Sequence, residues 1–122
     1  LASSAASDVY KRQEKVRVVK DQYGTPTSAE EVVKVIDFLL STDKYGTYHA
    51  TCEGSCNWYE FTKLIYEYCG KNTEVIPVTS EEYGAAAKRP AYSVLDNYKL
   101  HEFGYEMAEW KQALKIYLEK EK

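Results

Sequence analysis

Long apolar runs are missing from this chain; no uninterrupted stretch exceeds a few residues. A transmembrane helix needs about 20 such residues, so none is expected. A basic segment is also missing. Lys and Arg number 16 against 19 Asp and Glu, a net charge of −3. That balance argues against nucleic acid or an anionic membrane as the main partner. The first residues lack the apolar core of a secretory signal. No G-x-G-x-x-G or related glycine-rich loop occurs, so the usual dinucleotide turn is not written here. Internal repeats and low-complexity segments are absent as well.

What is there is a chain of 122 residues and 14.0 kDa, the size of one domain or of part of a larger one. Hydrophobic residues make up 44%, too many for a disordered chain. Tyr is unusually frequent at 12; its ring can pack while the hydroxyl stays wet. The three cysteines are Cys52, Cys56 and Cys69. An odd count without a secretory signal favours reduced thiols and a cytoplasmic location. The spacing His49-x2-Cys52-x3-Cys56-x12-Cys69 invites a zinc reading, but only one pair has knuckle spacing. Buried or half-buried structural thiols and no metal are the expectation.

Residues 1–13 read LASSAASDVYKRQ and carry no helical or strand period. The part from Asp8 to Gln13 resembles the translated adapter remnants found at the ends of sequence reads. Residues 1–13 are therefore set aside as a non-native tail, and 14–122 are read as the working part.

From Lys15 onward strand and helix signals alternate. Val16, Val18 and Val19 form a β-branched run ending at the polar turn from Asp21 to Thr27. Ser28 and Glu31 have the spacing of a capping box, and Val32, Val35, Ile36, Leu39 and Leu40 repeat at helical spacing. These predict a helix over Ala29–Ser41. Thr47–Thr51 reads as a strand closed by Gly54. Asn57 and Glu60 open a second helix, with Trp58, Phe61, Leu64, Ile65, Tyr68 and Cys69 on one face and Gly70 as its stop. Thr73–Val78 is a third strand, whose Pro77 suggests an edge or an end. A long connection follows. Asp96 is expected to cap a short helix to Phe103, and a last helix runs from Met107 to Glu119 with Trp110, Ala113, Leu114, Tyr117 and Leu118 as its stripe. Strands separated by such helices indicate an α/β fold with parallel βαβ units. Three strands are few for a parallel sheet, which needs cover on both faces. The chain is therefore read as the C-terminal part of a larger α/β enzyme.

Four strings in order carry a resemblance: Val18–Thr27 (VVKDQYGTPT), Tyr48–Thr51 (YHAT), Trp58–Phe61 (WYEF) and Lys88–Asp96 (KRPAYSVLD). Together, over Lys15 to Glu119, they resemble the C-terminal half of the dTDP-4-dehydrorhamnose reductase family, extended short-chain dehydrogenase/reductases. The resemblance implies a Rossmann-like fold: a few parallel strands with flanking helices and a small helical lobe. It implies reduction of the C4 ketone of a dTDP-linked deoxysugar with NADPH or NADH, on the way to dTDP-L-rhamnose for polysaccharide. The cofactor loop and catalytic Tyr-x3-Lys belong to the family's N-terminal Rossmann half, which is not in this sequence. The chain alone is accordingly expected to bind no cofactor and to be inactive. A homodimer is compatible with the full-length enzyme. Other occupants of the same class are an epimerase or dehydratase of nucleotide-sugars; outside it stands a free-standing nucleotide-sugar binding or interaction module.

The candidate substrate-binding residues are Gln22, Gly24, Pro26, Thr27, Arg89 and Ser93. Ligands of open α/β sheets sit beyond the carboxyl ends of strands, and the turn from Asp21 to Thr27 follows the first strand directly. Gly24 and Pro26 shape it; Gln22 and Thr27 offer hydrogen bonds. Arg89, in a loop fixed by Pro90, has the fork that suits phosphate oxygens; its alternative is a structural bond to Glu81, Glu82 or Asp96. The family commonly has Asn where this chain has Tyr92. One Tyr-x3-Lys is present, Tyr59 to Lys63. Its helical phase turns it away from the Trp58/Phe61/Ile65/Tyr68 stripe and towards solvent, so no catalytic residue is assigned.

Overall fold

The computed structural model describes residues 15–121; the expectation for residues 1–13 lies outside them. The described residues divide into two compact units, one made of 15–22 with Asn57–Arg89, the other of Tyr23–Cys56 with 90–121.

In the first unit, strand β1 (Lys15–Val19) pairs in parallel with β4 (Glu74–Val78), with Val16 opposite Val75 and Val19 opposite Val78. Pro77 stands opposite Val18. The ladder continues one step, Lys20 N–H donating to the Val78 carbonyl at 2.8 Å. Helix α2 (Trp58–Tyr68) lies against both strands. Its start is a complete capping box: the Asn57 side chain accepts from Glu60 N at 2.7 Å and Asn57 N donates to Glu60 Oε1 at 3.2 Å. Phe61, Leu64 and Ile65 are half-buried, as the period requires, but Trp58, Tyr68 and Cys69 are exposed. The stripe is narrower than the sequence suggested. A short helix α3 (Ser80–Tyr83), missed in the sequence, carries its own capping box between Thr79 and Glu82 and ends at Gly84, φ 72°.

In the second unit, α1 (Ala29–Leu40) buries Val35 at 2% exposure while Ile36 and Leu40 stay exposed. Val35 meets Leu100 and Met107, with Leu39, Tyr48, Ala50 and Tyr105 packed around them. Phe38 completes this side by stacking on Tyr105 at 4.7 Å. Leu100 belongs to α4 (Tyr98–Glu102), and Met107 to the segment before α5 (Trp110–Lys120). Trp110, Ala113 and Leu114 are buried on α5, whereas Tyr117 is exposed. Two small strands, β2 (Tyr23–Gly24) and β3 (Cys56–Asn57), form a second two-stranded sheet.

Three expectations are corrected. Thr47–Thr51 is not a strand; two residues beyond it, Glu53 makes an isolated parallel bridge to Glu109. Asp96 does not cap α4. Asn97 holds the N-cap position and its side chain bonds elsewhere. The Ser28 box is half-formed: Ser28 Oγ accepts from Glu31 N at 3.3 Å, but the Glu31 carboxylate is directed to Ala108 N. The α/β class stands, with parallel strands flanked by helices and a mainly helical second unit. Among the described residues no helix is long and apolar enough to cross a membrane.

Candidate functional site

In the first unit the candidates are Gln22 and Arg89. Gln22 leaves β1 beside Asp21, and both side chains meet Ser80 at the start of α3. Ser80 Oγ donates to Asp21 Oδ1 at 2.6 Å, Ser80 N donates to both carboxylate oxygens, and Gln22 Nε2 donates to Ser80 Oγ at 3.0 Å. The Ser80 hydroxyl and then its N–H hold the Asp21 carboxyl below its ordinary value. Gln22 thus already spends one donor on the fold. Arg89 is the reverse case. It is exposed and has no hydrogen bond or ion pair to another described residue. Glu82 gives its carbonyl to Arg17 at 3.0 Å, not to Arg89. A guanidinium with all five donors uncommitted suits a phosphate or carboxylate.

Tyr59 and Lys63, the Tyr-x3-Lys of α2, pair with each other, the Lys63 ammonium sitting 5.9 Å from the Tyr59 ring centre. Lys63 is exposed as predicted, whereas Tyr59 is half-buried. The ammonium faces the ring, a cation–π contact between neighbours one helical turn apart.

In the second unit the candidates are Gly24, Pro26, Thr27 and Ser93. All but Ser93 are partly buried. A side chain at Gly24 would meet nothing within 4 Å among the described residues. Thr27 Oγ1 donates to the Thr25 carbonyl and accepts from Cys52 N, both at 3.1 Å. Thr25 Oγ1 donates to the Gly54 carbonyl at 2.7 Å. The Thr25–Thr27 turn is therefore tied to residues 52–54. Ser93 N donates to the Tyr23 carbonyl at 2.8 Å, and Tyr23 bridges in parallel to Tyr92. Both phenols are exposed, at 41% and 70%.

Sequence reasoning missed the group behind this turn. Asn97 is 3% exposed. Its Nδ2 donates to the Thr51 carbonyl at 2.6 Å and to Glu53 Oε1 at 3.0 Å, and its Oδ1 accepts from Thr51 N at 3.1 Å. Glu53 Oε1 also lies 2.7 Å from His101 Nε2. That hydrogen bond raises the imidazole above its ordinary value; Glu53, Glu106 and Asp96 add to it through their charge. Partners 44 and 46 residues apart leave no periodic trace in a sequence.

A cavity of about 190 Å³ is lined by Thr47, His49, Asp96, Tyr98 and Lys99, none of them a candidate above. It is smaller than the ~300–1,000 Å³ typical of a pocket for a sizeable ligand. No disulfide joins the three cysteines; Cys52 and Cys56 are buried as expected, but Cys69 is exposed. Burial pushes the Cys52 thiol up, away from the thiolate that reacts. Among the described residues no three His, Cys, Asp or Glu side chains are grouped to hold a metal.

A pyrophosphate needs backbone N–H groups free at a glycine-rich strand-to-helix turn. After β1, the side chains of Asp21 and Gln22 are tied to Ser80; after β4, Ser80 N donates to Asp21 and Glu82 N to the Thr79 hydroxyl. Neither of these two strand ends carries a glycine-rich turn of that kind.

The chain is similar to several known proteins. A spore coat polysaccharide biosynthesis protein, SpsK, of Bacillus subtilis is 40% identical over 107 residues, covering 88% of this chain and 38% of the relative. A dTDP-4-dehydrorhamnose reductase of Aggregatibacter actinomycetemcomitans is 35% identical over 118 residues, covering 86% of this chain and 40% of the relative. The crystal structure of dTDP-4-dehydrorhamnose reductase from Bacillus anthracis in complex with NADP superposes with a TM-score of 0.84 at 35% identity, over 97% of this chain and 42% of that one. The chain spans about two-fifths of the length of these proteins. With the model of the RmlD substrate binding domain matching residues 4–122, the chain belongs to that family.

Proposed function

We propose that this chain is the substrate-binding, C-terminal part of a dTDP-4-dehydrorhamnose reductase. The observation that carries the reading is the likeness, in both sequence and backbone, to about two-fifths of such reductases, together with the match to the RmlD substrate binding domain. The whole enzyme would reduce the C4 ketone of a dTDP-4-dehydro-deoxysugar in the cytoplasm. Residues 14–122 would be the functional part and residues 1–13 non-native, although the family match itself begins at residue 4. NADPH, the form related to the ligand of the B. anthracis structure, would supply the hydride from an upstream Rossmann half.

This chain's own part is to hold the nucleotide-sugar. Arg89 supplies uncommitted cationic donors for a diphosphate. Gly24, Pro26, Thr27, Ser93 and Gln22 supply surface and hydrogen-bonding groups near the sugar or the base. Orientation of this kind is a catalytic contribution in itself, because hydride transfer needs the ketone held at near-attack distance.

The test is turnover by the protein with its Rossmann half restored, given NADPH and dTDP-4-dehydro-L-rhamnose. Consumption of NADPH matched to formation of the C4 alcohol supports the reading. Isomerisation or dehydration without net NADPH consumption would instead support an epimerase or dehydratase. Tight nucleotide-sugar binding by a protein with no upstream Rossmann half would support a free-standing binding module.

A further inference from the structure

We propose that Asn97 and Glu53 are positioning residues for the Gly24–Thr27 turn, acting through residues 51–54. This rests on the reading that the turn contacts the nucleotide-sugar. Residues 51–54 carry no helix or long strand of their own. Their course is set by outside partners. On one side Asn97 satisfies both backbone groups of Thr51 and one oxygen of Glu53. His101 takes the same Glu53 oxygen at 2.7 Å. The Glu53 backbone is pinned as well, its N–H donating to the Ala108 carbonyl at 2.9 Å and its carbonyl accepting from Trp110 N at 3.0 Å.

The other side of the same four residues carries the turn. Cys52 N donates to Thr27 Oγ1, and the Gly54 carbonyl accepts from Thr25 Oγ1. The turn's threonines thus hang from backbone atoms whose position the carboxamide of Asn97 and the carboxylate of Glu53 decide. Asn97 is buried with its hydrogen-bonding atoms satisfied, a state in which loss of one partner strands the others. A side chain that merely capped α4 would have bonded the N-terminal N–H groups of that helix; Asn97 makes no such bond.

The experiment uses the protein with its Rossmann half restored and compares Asn97→Ala, Glu53→Ala and the conservative Glu53→Gln. The KM for the dTDP-sugar is expected to rise about tenfold in both alanine variants, the scale of one or two lost hydrogen bonds. kcat and the cofactor KM are expected to stay within about twofold, and Glu53→Gln should recover most of the loss because its amide oxygen still accepts from Asn97. A fall in kcat with an unchanged sugar KM would mean a smaller folded fraction and would overturn the proposal. If Asn97→Ala does not fold, the two Glu53 variants carry the same comparison. Hydrogen exchange at the Cys52 amide, whose acceptor is Thr27 Oγ1, gives a readout independent of turnover. Faster exchange in Glu53→Ala supports positioning even if the unmodified enzyme proves inactive on this sugar, which would count against the functional reading alone. Unchanged exchange overturns the positioning role whatever the activity.

Discussion

The carboxylate of Glu31, near the start of α1, accepts a hydrogen bond of 2.8 Å from the backbone N–H of Ala108, 77 residues away. Glu31 is 8% exposed, and its second oxygen pairs with Lys34 at 3.1 Å. A residue with the signature of a local cap is therefore a tie between α1 and the segment that carries Met107. Glu31→Ala leaves the Ala108 donor without its partner and should cost about 1.5–3 kcal/mol, the scale of a hydrogen bond to a charged group. Urea unfolding at constant m-value reads this directly. A change within about 0.5 kcal/mol, the range of ordinary surface substitutions, would contradict it.

Gly54 has φ +88°, and a Cβ there would lie 3.0 Å from both Glu109 Oε1 and Trp110 Cδ1. The Glu109 side chain can swing aside, but Trp110 is 3% exposed and its ring has no room to yield. Gly54→Ala should destabilise by about 1–3 kcal/mol, from backbone strain together with the clash. Thermal unfolding of the variant checks it; an unchanged midpoint would mean the loop relaxes freely.

The His101–Glu53 pair makes stability depend on pH with a definite sign. The folded imidazole holds its proton more tightly than the unfolded one, first through the Glu53 hydrogen bond. Its contribution is complete below the unfolded value, about 6.5. It is lost as pH rises through the raised folded value. The stability difference between the unmodified protein and His101→Gln should therefore shrink from about pH 6 towards alkaline pH. An imidazole NMR titration placing His101 at or below the ordinary value would refute the sign.

The elements legible in the sequence were those with a local cause. The β-branched run of β1, the Asn57–Glu60 box and the Val35–Leu39 spacing each act within a few residues, and the structure uses all three. Thr47–Thr51 has strand-like residues, yet among the described residues no neighbouring strand takes its backbone. Thr51 pairs instead with the Asn97 side chain, and the Tyr48 hydroxyl turns back to the Lys44 carbonyl. Strand propensity is expressed only where a partner ladder exists. The candidate site divides along the same line. Arg89 could be picked out by its chemistry and loop, and it is exposed without a partner among the described residues. Asn97 and Glu53 could not, because their partners come from tertiary structure alone.

The central claim is that this chain holds the nucleotide-sugar, with Arg89 donating hydrogen bonds to its diphosphate. Calorimetric titration of the dTDP-sugar into the Rossmann-complete protein and its Arg89→Ala variant tests this most directly. The account predicts an affinity loss of about 1.5–3 kcal/mol, with thermal stability and NADPH affinity unchanged. Equal sugar affinity in the two proteins, or a variant that unfolds while its folded fraction binds normally, would contradict it.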